Sequence, residues 1–467
     1  RRSNGWGFIE VPGGRDQTDD GEPIFYRAQV LIQGTLQGAP PTIDTSIESQ
    51  NIEINDTIRW NDWSFNVGVV LSEDTLWGQG LREDPSASSG FVPEFGNRYE
   101  MYQVSFEDQI QPRIGATWAY DGLNTVYASY AKYNPIATSL PRAASWDRRL
   151  TGRIANVYFD ENGDVLEVAP RTSSSGKLFQ PDMDPRSIDE FMVGTSRRVN
   201  QNLTARAYAR YRYGQNFWED TNNNARVRFN PPEGVPQELY IPTNNLVGEG
   251  SYVIAQLDGA FTKYYEVSLE SDWNRDNLFI RGSYTWSHYY GNFDQDNTTT
   301  GNDANIFIGS SFIADGFGHQ VWDNRYGNLK GDRRHVLKLY GTYSLPWNAT
   351  AGAFGVYQSG EAWEAWDGNA YRGGEGPSAP GWAGDTAYFA EPAGSRTGPS
   401  HYQIDLNYTQ NFNVLGDYTI QVAADVFNIT DNQTGYAIQN KVNERAFGEP
   451  RRFYDPRRWQ VALRFLF

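Results

Sequence analysis

The chain has 467 residues, of which 39% are hydrophobic and 15% aromatic, with no cysteine and a formal net charge of −17. The missing thiols exclude a disulfide scaffold, thiolate metal sites and cysteine nucleophiles, and the acidic balance excludes a nucleic-acid binder, which needs a basic surface. No apolar run reaches the length of about 18 residues that a transmembrane helix needs, but membrane-spanning strands hide their hydrophobicity in alternation and keep mean hydropathy low.

The opening stretch, RRSNGWGFIEVPGG, shows no initiator Met, no apolar signal core and no small-residue cleavage site. The chain therefore reads as a mature or truncated piece of an exported protein. From there, alternating segments recur in a regular rhythm. Strands are predicted over 24–37, 43–60, 63–77, 110–121, 124–133, 188–199, 202–213, 263–273, 278–290, 334–345, 349–358, 400–412, 418–429 and 458–467. Tight connections such as Asn61-Asp62, Asp121-Gly122-Leu123 and Asn200-Gln201 carry the Asn, Asp and Gly that turns require. Long, polar, Gly-rich stretches lie between them at 78–109, 134–187, 214–262, 291–333, 359–399 and 430–457. Short connections on one side and long ones on the other are the rhythm of an outer-membrane barrel, with periplasmic turns and extracellular loops.

The strand faces agree. Tyr265, Val267, Leu269 and Trp273 oppose Tyr264, Glu266, Ser268, Glu270 and Asp272, and Tyr402, Ile404, Leu406 and Tyr408 oppose Gln403, Asp405, Asn407 and Thr409. Carboxylates on one face call for water or a polar plug beside it, because an unpaired buried charge is costly. Arg206, Arg210 and Arg212 share a face on the strand before Glu266 and Glu270, which predicts a ladder of Arg–carboxylate pairs inside a lumen, with individually solvated charges as the alternative. The last strand, RWQVALRFLF, places Trp459, Val461, Leu463, Phe465 and Phe467 on one apolar face with aromatics at both ends, the pattern expected of a strand crossing a bilayer.

Candidate chemistry is sparse. His288, His319, His335 and His401 show no paired ligand spacing, and His335 reads as a strand start. Asp294, Asp296 and Asp303 supply oxygen ligands without the Gly and Glu of a calcium loop, so a solvated acidic loop is expected. Asp160 to Asp164, flanked by NVYF and VLEV, reads as a hairpin tip. No catalytic set, cofactor or metal site is predicted, and the chain is expected not to be an enzyme. The loop at 359–399 is the candidate ligand-binding site: Trp363, Trp366, Tyr371, Trp382, Tyr388 and Phe389 stand there among Gly, Pro and acids. Such aromatics either stack on a ligand or pack the loop against the barrel mouth.

Five strings carry a resemblance: IQPRIGATWAYDGLNTVYASYAKY (110–133), GNLKGDRRHVLKLYGTYSLPW (327–347), AGSRTGPSHYQIDLNYTQNF (393–412), DVFNITDNQ (425–433) and GEPRRFYDPRRWQVALRFLF (448–467). In this order they resemble the C-terminal barrel of TonB-dependent outer-membrane receptors, in particular the Oar-like branch. The resemblance implies an all-β, antiparallel transmembrane barrel of about 22 strands, of which residues 1–467 supply a C-terminal portion of about 14 strands, without the plug. It also implies a TonB partner acting through a region N-terminal to this chain, and recognition of the Phe-ended last strand by the barrel-assembly machinery. The expected setting is the bacterial outer membrane, with its lipid and lipopolysaccharide as neighbours. The expected function is uptake of a nutrient or peptide-like ligand. A passive porin or surface-binding adhesin is the alternative, and a secreted carbohydrate-active protein a more distant one.

Overall fold

A computed structural model describes residues 3–10, 17–18, 20–32, 46–83, 91–135, 153–171, 177–179, 182–222, 252–256, 259–293, 324, 326–365, 390–415, 418–440, 442 and 445–466. The described residues are strands, turns and irregular backbone, with no helix.

Thirteen strands succeed one another as an antiparallel meander: Ser46–Trp60, Trp63–Glu83, Ile110–Trp118, Thr125–Tyr133, Ser187–Arg198, Leu203–Gln215, Thr262–Arg275, Leu278–Gly291, His335–Leu345, Ala349–Gln358, His401–Leu415, Tyr418–Phe427 and Arg458–Leu466. Each corresponds to a segment predicted from alternation. Two further pieces join this 15-stranded sheet. Strand Phe91–Val104 pairs with the far half of Trp63–Glu83, and Gly327–Asn328 pairs with the end of Leu278–Gly291. The connections are tight at one end only. There Asn61, Asp276 and Asn348 take positive φ, a conformation that Asn and Asp tolerate better than most side chains. At Asp121 the carboxylate accepts the backbone N–H groups of Leu123 (3.0 Å) and Asn124 (2.6 Å), which closes that turn.

Because the meander has an odd number of strands, its two edge strands, Ser46–Trp60 and Arg458–Leu466, run in the same direction. They therefore cannot pair with each other in antiparallel fashion, and among the described residues the outer edge of each is unpaired.

Registers show how the faces separate. One continuous row of Cα partners runs Tyr402, Tyr357, Leu337, Tyr284, Leu269, Ala207, Thr195, Val126, Trp118, Trp63 and Trp60. It starts at the second residue of one strand and ends at the last residue of another, so the strands are staggered, as the tilt of a barrel requires. This face is apolar and outward: Val461 and Leu463 are 75% exposed, Ile54 64% and Leu269 52%. Exposed apolar surface on this scale marks a face made for an apolar environment. Trp63 stacks on Trp118 near the tight turns with ring centroids 5.6 Å apart, and Tyr418 stacks on Phe465 at 5.6 Å. Tyr130, Phe191, Tyr211 and Tyr265 form a second aromatic run toward the other end. Aromatics at both borders of an apolar band match the two interfaces of a bilayer.

The opposite face holds the predicted ladder. Arg206 reaches Asp272 at 3.1 Å and Glu270 at 3.7 Å, Arg210 reaches Glu266 at 3.4 Å and Glu190 at 3.6 Å, and Arg281 closes on Asp272 at 2.6 Å. Arg212 pairs with Glu190 on the preceding strand, so the ladder extends over four strands instead of the two predicted. Gly194 sits in this face under Tyr127 and Tyr208. A methyl there would lie 2.5 Å from the Tyr127 ring, so the position admits no side chain without displacing the ring.

Two expectations need correction. The predicted strand at 24–37 is observed as Tyr26–Ile32, and it belongs to a separate four-stranded sheet. There it pairs with Ser3–Glu10 and with Arg153–Phe159, which forms a hairpin with Val165–Arg171. Alternation identified a strand but could not say which backbone would supply its hydrogen-bond partners. The stretch 78–109, read as a loop, instead continues strand Trp63–Glu83 and adds Phe91–Val104. Polar residues dominate where that extension begins. Gln109 donates to Asp74 (2.9 Å), Gln111 donates to Ser72 (2.9 Å), and Ser72 donates to Asn51 (2.6 Å). Their mutual hydrogen bonds replace the apolar pattern that marks a strand in sequence. The hairpin tip at Asp160 is as predicted, with its carboxylate accepting the N–H groups of Asn162 and Asp164.

A charge on the outward face should be far more damaging than one on the ladder face. Leu406→Arg is expected to destabilise the folded protein in lipid vesicles by about 2–4 kcal/mol, whereas its neighbour Thr409→Arg should change stability little. Urea titration followed by tryptophan fluorescence measures both, and equal losses would reverse the face assignment.

Candidate binding site at the long-loop end

Parts of four of the five strings that carried the resemblance meet at the long-loop end of the sheet. Asn428 is 2% exposed and has φ +51°. Its amide donates to the carbonyls of Asn432 (3.2 Å) and Asp455 (2.9 Å). Its side-chain oxygen accepts from the Thr430 hydroxyl (3.2 Å) and the Asn432 N–H (3.0 Å), so every hydrogen-bonding position of the side chain is used. The Asn428 N–H is in turn held by the Asp405 carboxylate at 2.7 Å. Asp431 accepts the Arg457 N–H (2.8 Å) and Asn432 donates to the Tyr402 carbonyl (2.9 Å). The segment after strand Tyr418–Phe427 is thereby tied to the start of the last strand.

This clip places Tyr454 flat against His401, with ring centroids 3.6 Å apart and planes at 6°, while Gln358 donates to the Tyr454 hydroxyl. Tyr436 packs against Tyr454 at 4.9 Å. Strand pieces Ala362–Trp363 and Arg396–Thr397 pair close by. Arg396 clamps Glu391 through two bonds of 2.7 and 3.0 Å and lies over the rings of Trp363 (5.1 Å) and Phe447 (5.4 Å). Burial alone would raise the Glu391 pKa, but the Arg396 clamp and the Ala365 N–H at 2.7 Å outweigh it and hold it below the ordinary carboxylate range.

Between these pieces lies a cavity of about 400 Å³. Its wall includes Trp363, Tyr436 and Tyr454, the cations Lys330, Arg333, Arg451 and Arg452, and the carboxylates Glu361 and Glu364. Arg333 is engaged by Glu361 at 3.3 Å and by the Ser359 carbonyl at 2.9 Å. Glu364, 4% exposed, accepts the Gly394 N–H at 3.0 Å. The wall thus carries four cations against two carboxylates, and both carboxylates are already engaged by groups of the protein. Its volume lies within the range of ligand pockets, a few hundred Å³ upward.

Of the aromatics predicted for ligand binding, Trp363 is in this wall. Trp366, Tyr371, Trp382, Tyr388 and Phe389 lie outside the described residues, as do the acidic loop at 294–303 and His319. Trp459, Val461, Leu463 and Phe465 lie on the outward face of the last strand as predicted, exposed by 58–75%, and Phe467 is outside the described residues. His335 begins its strand, as read from sequence. The residues missed were Arg451, Arg452, Tyr436, Tyr454 and Asn440. Their signal was the Arg-rich string at 448–458, which was read as a family signature and not as a binding wall.

No family model matches the chain. The chain is 27% identical over 393 residues to the TonB-dependent transporter Oar of Myxococcus xanthus, an alignment covering 80% of this chain and 32% of that protein. The chain therefore spans about a third of the length of this curated relative. Among solved structures, the outer membrane transporter YddB from Escherichia coli matches with a TM-score of 0.51 at 10% identity, over 95% of this chain and 55% of that one. The siderophore receptor PiuA from Acinetobacter baumannii gives a TM-score of 0.49 at 14% identity, over 95% and 43%. Staggered antiparallel strands, an aromatic-bordered apolar exterior, a charged interior and one-sided long connections define an outer-membrane β-barrel. In sequence the chain is similar to a TonB-dependent transporter, and in fold to an outer membrane transporter.

Two outcomes test this geometry. Asn428→Ala should leave four partners unsatisfied and cost about 1–3 kcal/mol locally, seen as faster proteolysis between residues 428 and 457 in a barrel that still resists heat in detergent. Because Glu391 is held below its ordinary pKa, its contribution is full above about pH 4.5. It is lost as pH falls through the depressed value, so the fluorescence of Trp363, measured against Trp363→Phe, should shift on acidification, and Glu391→Gln should abolish that shift.

Proposed function

We propose that residues 1–467 form the ligand-binding barrel portion of a TonB-dependent receptor that takes up a nutrient or peptide-like ligand across the outer membrane. The observation that carries this reading is the partly open, aromatic and charged cavity at the long-loop end, above a barrel interior lined by ion pairs. The barrel supplies a path through the bilayer, the outer segments supply affinity, and TonB supplies energy. No covalent chemistry is required of the chain. Lipid and lipopolysaccharide contact the aromatic-bordered exterior, and the barrel-assembly machinery recognises the last strand with its Trp459, Val461, Leu463 and Phe465 face.

The test is uptake from a defined mixture of two- to five-residue peptides by cells expressing the full-length receptor, with and without TonB. Depletion of a subset of peptides that stops when TonB is removed supports the reading. Depletion that persists without TonB points to a passive pore, and no depletion in either strain removes peptide uptake.

A further inference from the structure

One buried polar group in the cavity wall is left open. Asn440 lines the cavity, is 6% exposed, and its side-chain oxygen accepts no hydrogen bond among the described residues. A buried acceptor without a partner costs free energy that a donor from a ligand recovers. Asn428 is the contrast, since it is also buried and every position of its amide is used. Asn440 therefore calls for an N–H or O–H from outside the protein.

The charges of the wall narrow the ligand class further. Arg333 is held by Glu361, and Lys330 and Arg451 have partners within the protein. Arg452 is exposed, lines the cavity, and makes no side-chain hydrogen bond or ion pair among the described residues. It stands opposite Tyr436 in the ribbon formed by Gly435–Ile438 and Pro450–Phe453, so the two side chains share a face. Tyr436 in turn packs against Tyr454, whose ring is backed by His401 and so fixed before a ligand arrives. The open positions are thus one acceptor, one planar fork of donors suited to a carboxylate, and a pair of rings beside that fork.

A neutral sugar brings donors without an anion, and a simple carboxylate brings an anion without an N–H. The C-terminal end of a peptide brings a carboxylate, a side chain next to it and backbone N–H groups behind it. We infer that the cavity binds the C-terminal end of a short peptide with an aromatic last residue. Its carboxylate lies on Arg452, its ring against Tyr436 and Tyr454, and a backbone N–H on Asn440. The inference rests on the receptor reading above and adds which end of the peptide that site reads.

Binding is measured by calorimetric titration of the full-length receptor in detergent. The probe is acetyl-Gly-Phe with a free carboxylate, and the controls are its C-terminal carboxamide and an analogue methylated at both amide nitrogens. The acid should bind saturably and each control at least about tenfold more weakly. Arg452→Gln should remove the preference for the acid over the carboxamide. Asn440→Leu should weaken the acid at least about tenfold. Proteolysis between residues 428 and 457 should not quicken in that variant, because it removes an acceptor that the fold leaves unpaired. The methylated analogue tests the same contact on the unaltered protein, so the result stands even if the variant misfolds. No binding of the acid, equal binding of acid and carboxamide, or full affinity of the methylated analogue would overturn the inference. TonB-dependent depletion of peptides regardless of C-terminal amidation would keep the receptor reading and remove this one, whereas acid-selective binding without uptake would do the reverse.

Discussion

The structure depends on one constraint: a strand in a bilayer must satisfy its backbone through its neighbours, since hydrocarbon offers no hydrogen bonds. The thirteen-strand meander meets this by successive antiparallel registers from Ser46–Trp60 to Arg458–Leu466, with one register shift, between Asn413 and Leu415. Once register is set, side-chain placement follows, because a slip by one residue would turn every apolar residue inward and every charge outward. Tyr402 and Trp60 belong to one outward row although ten strand pairings separate them. Arg210 stays beside Glu266 for the same reason.

The interior ladder and the outer-mouth cavity apply the same chemistry at different depths. In the ladder, arginines from adjacent strands neutralise carboxylates across single registers, and the resulting wall is charged but balanced. In the cavity four cations and two carboxylates share the wall, where Arg451 and Arg452 are brought beside Lys330 and Arg333. Asn428 anchors the segment after strand Tyr418–Phe427 with a nearly fully buried amide that makes four hydrogen bonds. A short polar clip thus positions the wall on which ligand recognition is proposed to rest.

The odd strand count has a topological consequence for assembly. Edges running in the same direction can join an all-antiparallel barrel only through an odd number of further strands. The exposed edges are long, at 15 and 9 residues, and edges of that kind are strong templates for pairing. Barrel closure is thus a matter of backbone complementarity at two defined strands, and the apolar face of the last one, with Val461 and Leu463 the most exposed of its residues, is already shaped for lipid.

Much of this was legible in the residues. Period-two alternation and the spacing of Asn, Asp and Gly located thirteen strands and their tight turns, because each strand needs only its own pattern to keep one face in lipid. The Arg206/Arg210 ladder was legible because both strands alternate and each puts its charges on a single face. What could not be read were pairings between distant segments. Tyr26–Ile32 joins a hairpin more than 120 residues away, Phe91–Val104 pairs with the far half of Trp63–Glu83 across register shifts that no period records, and Trp363 meets Tyr436, Arg451 and Arg452 only through folded loops. Local periodicity reports the environment of a face, and the sequence by itself therefore determined the strands, their apolar and polar faces and the barrel fold. Which loops meet depends on long-range hydrogen bonds such as those of Asn428, which leave no period in the chain, so only the tertiary structure decided where a ligand could sit.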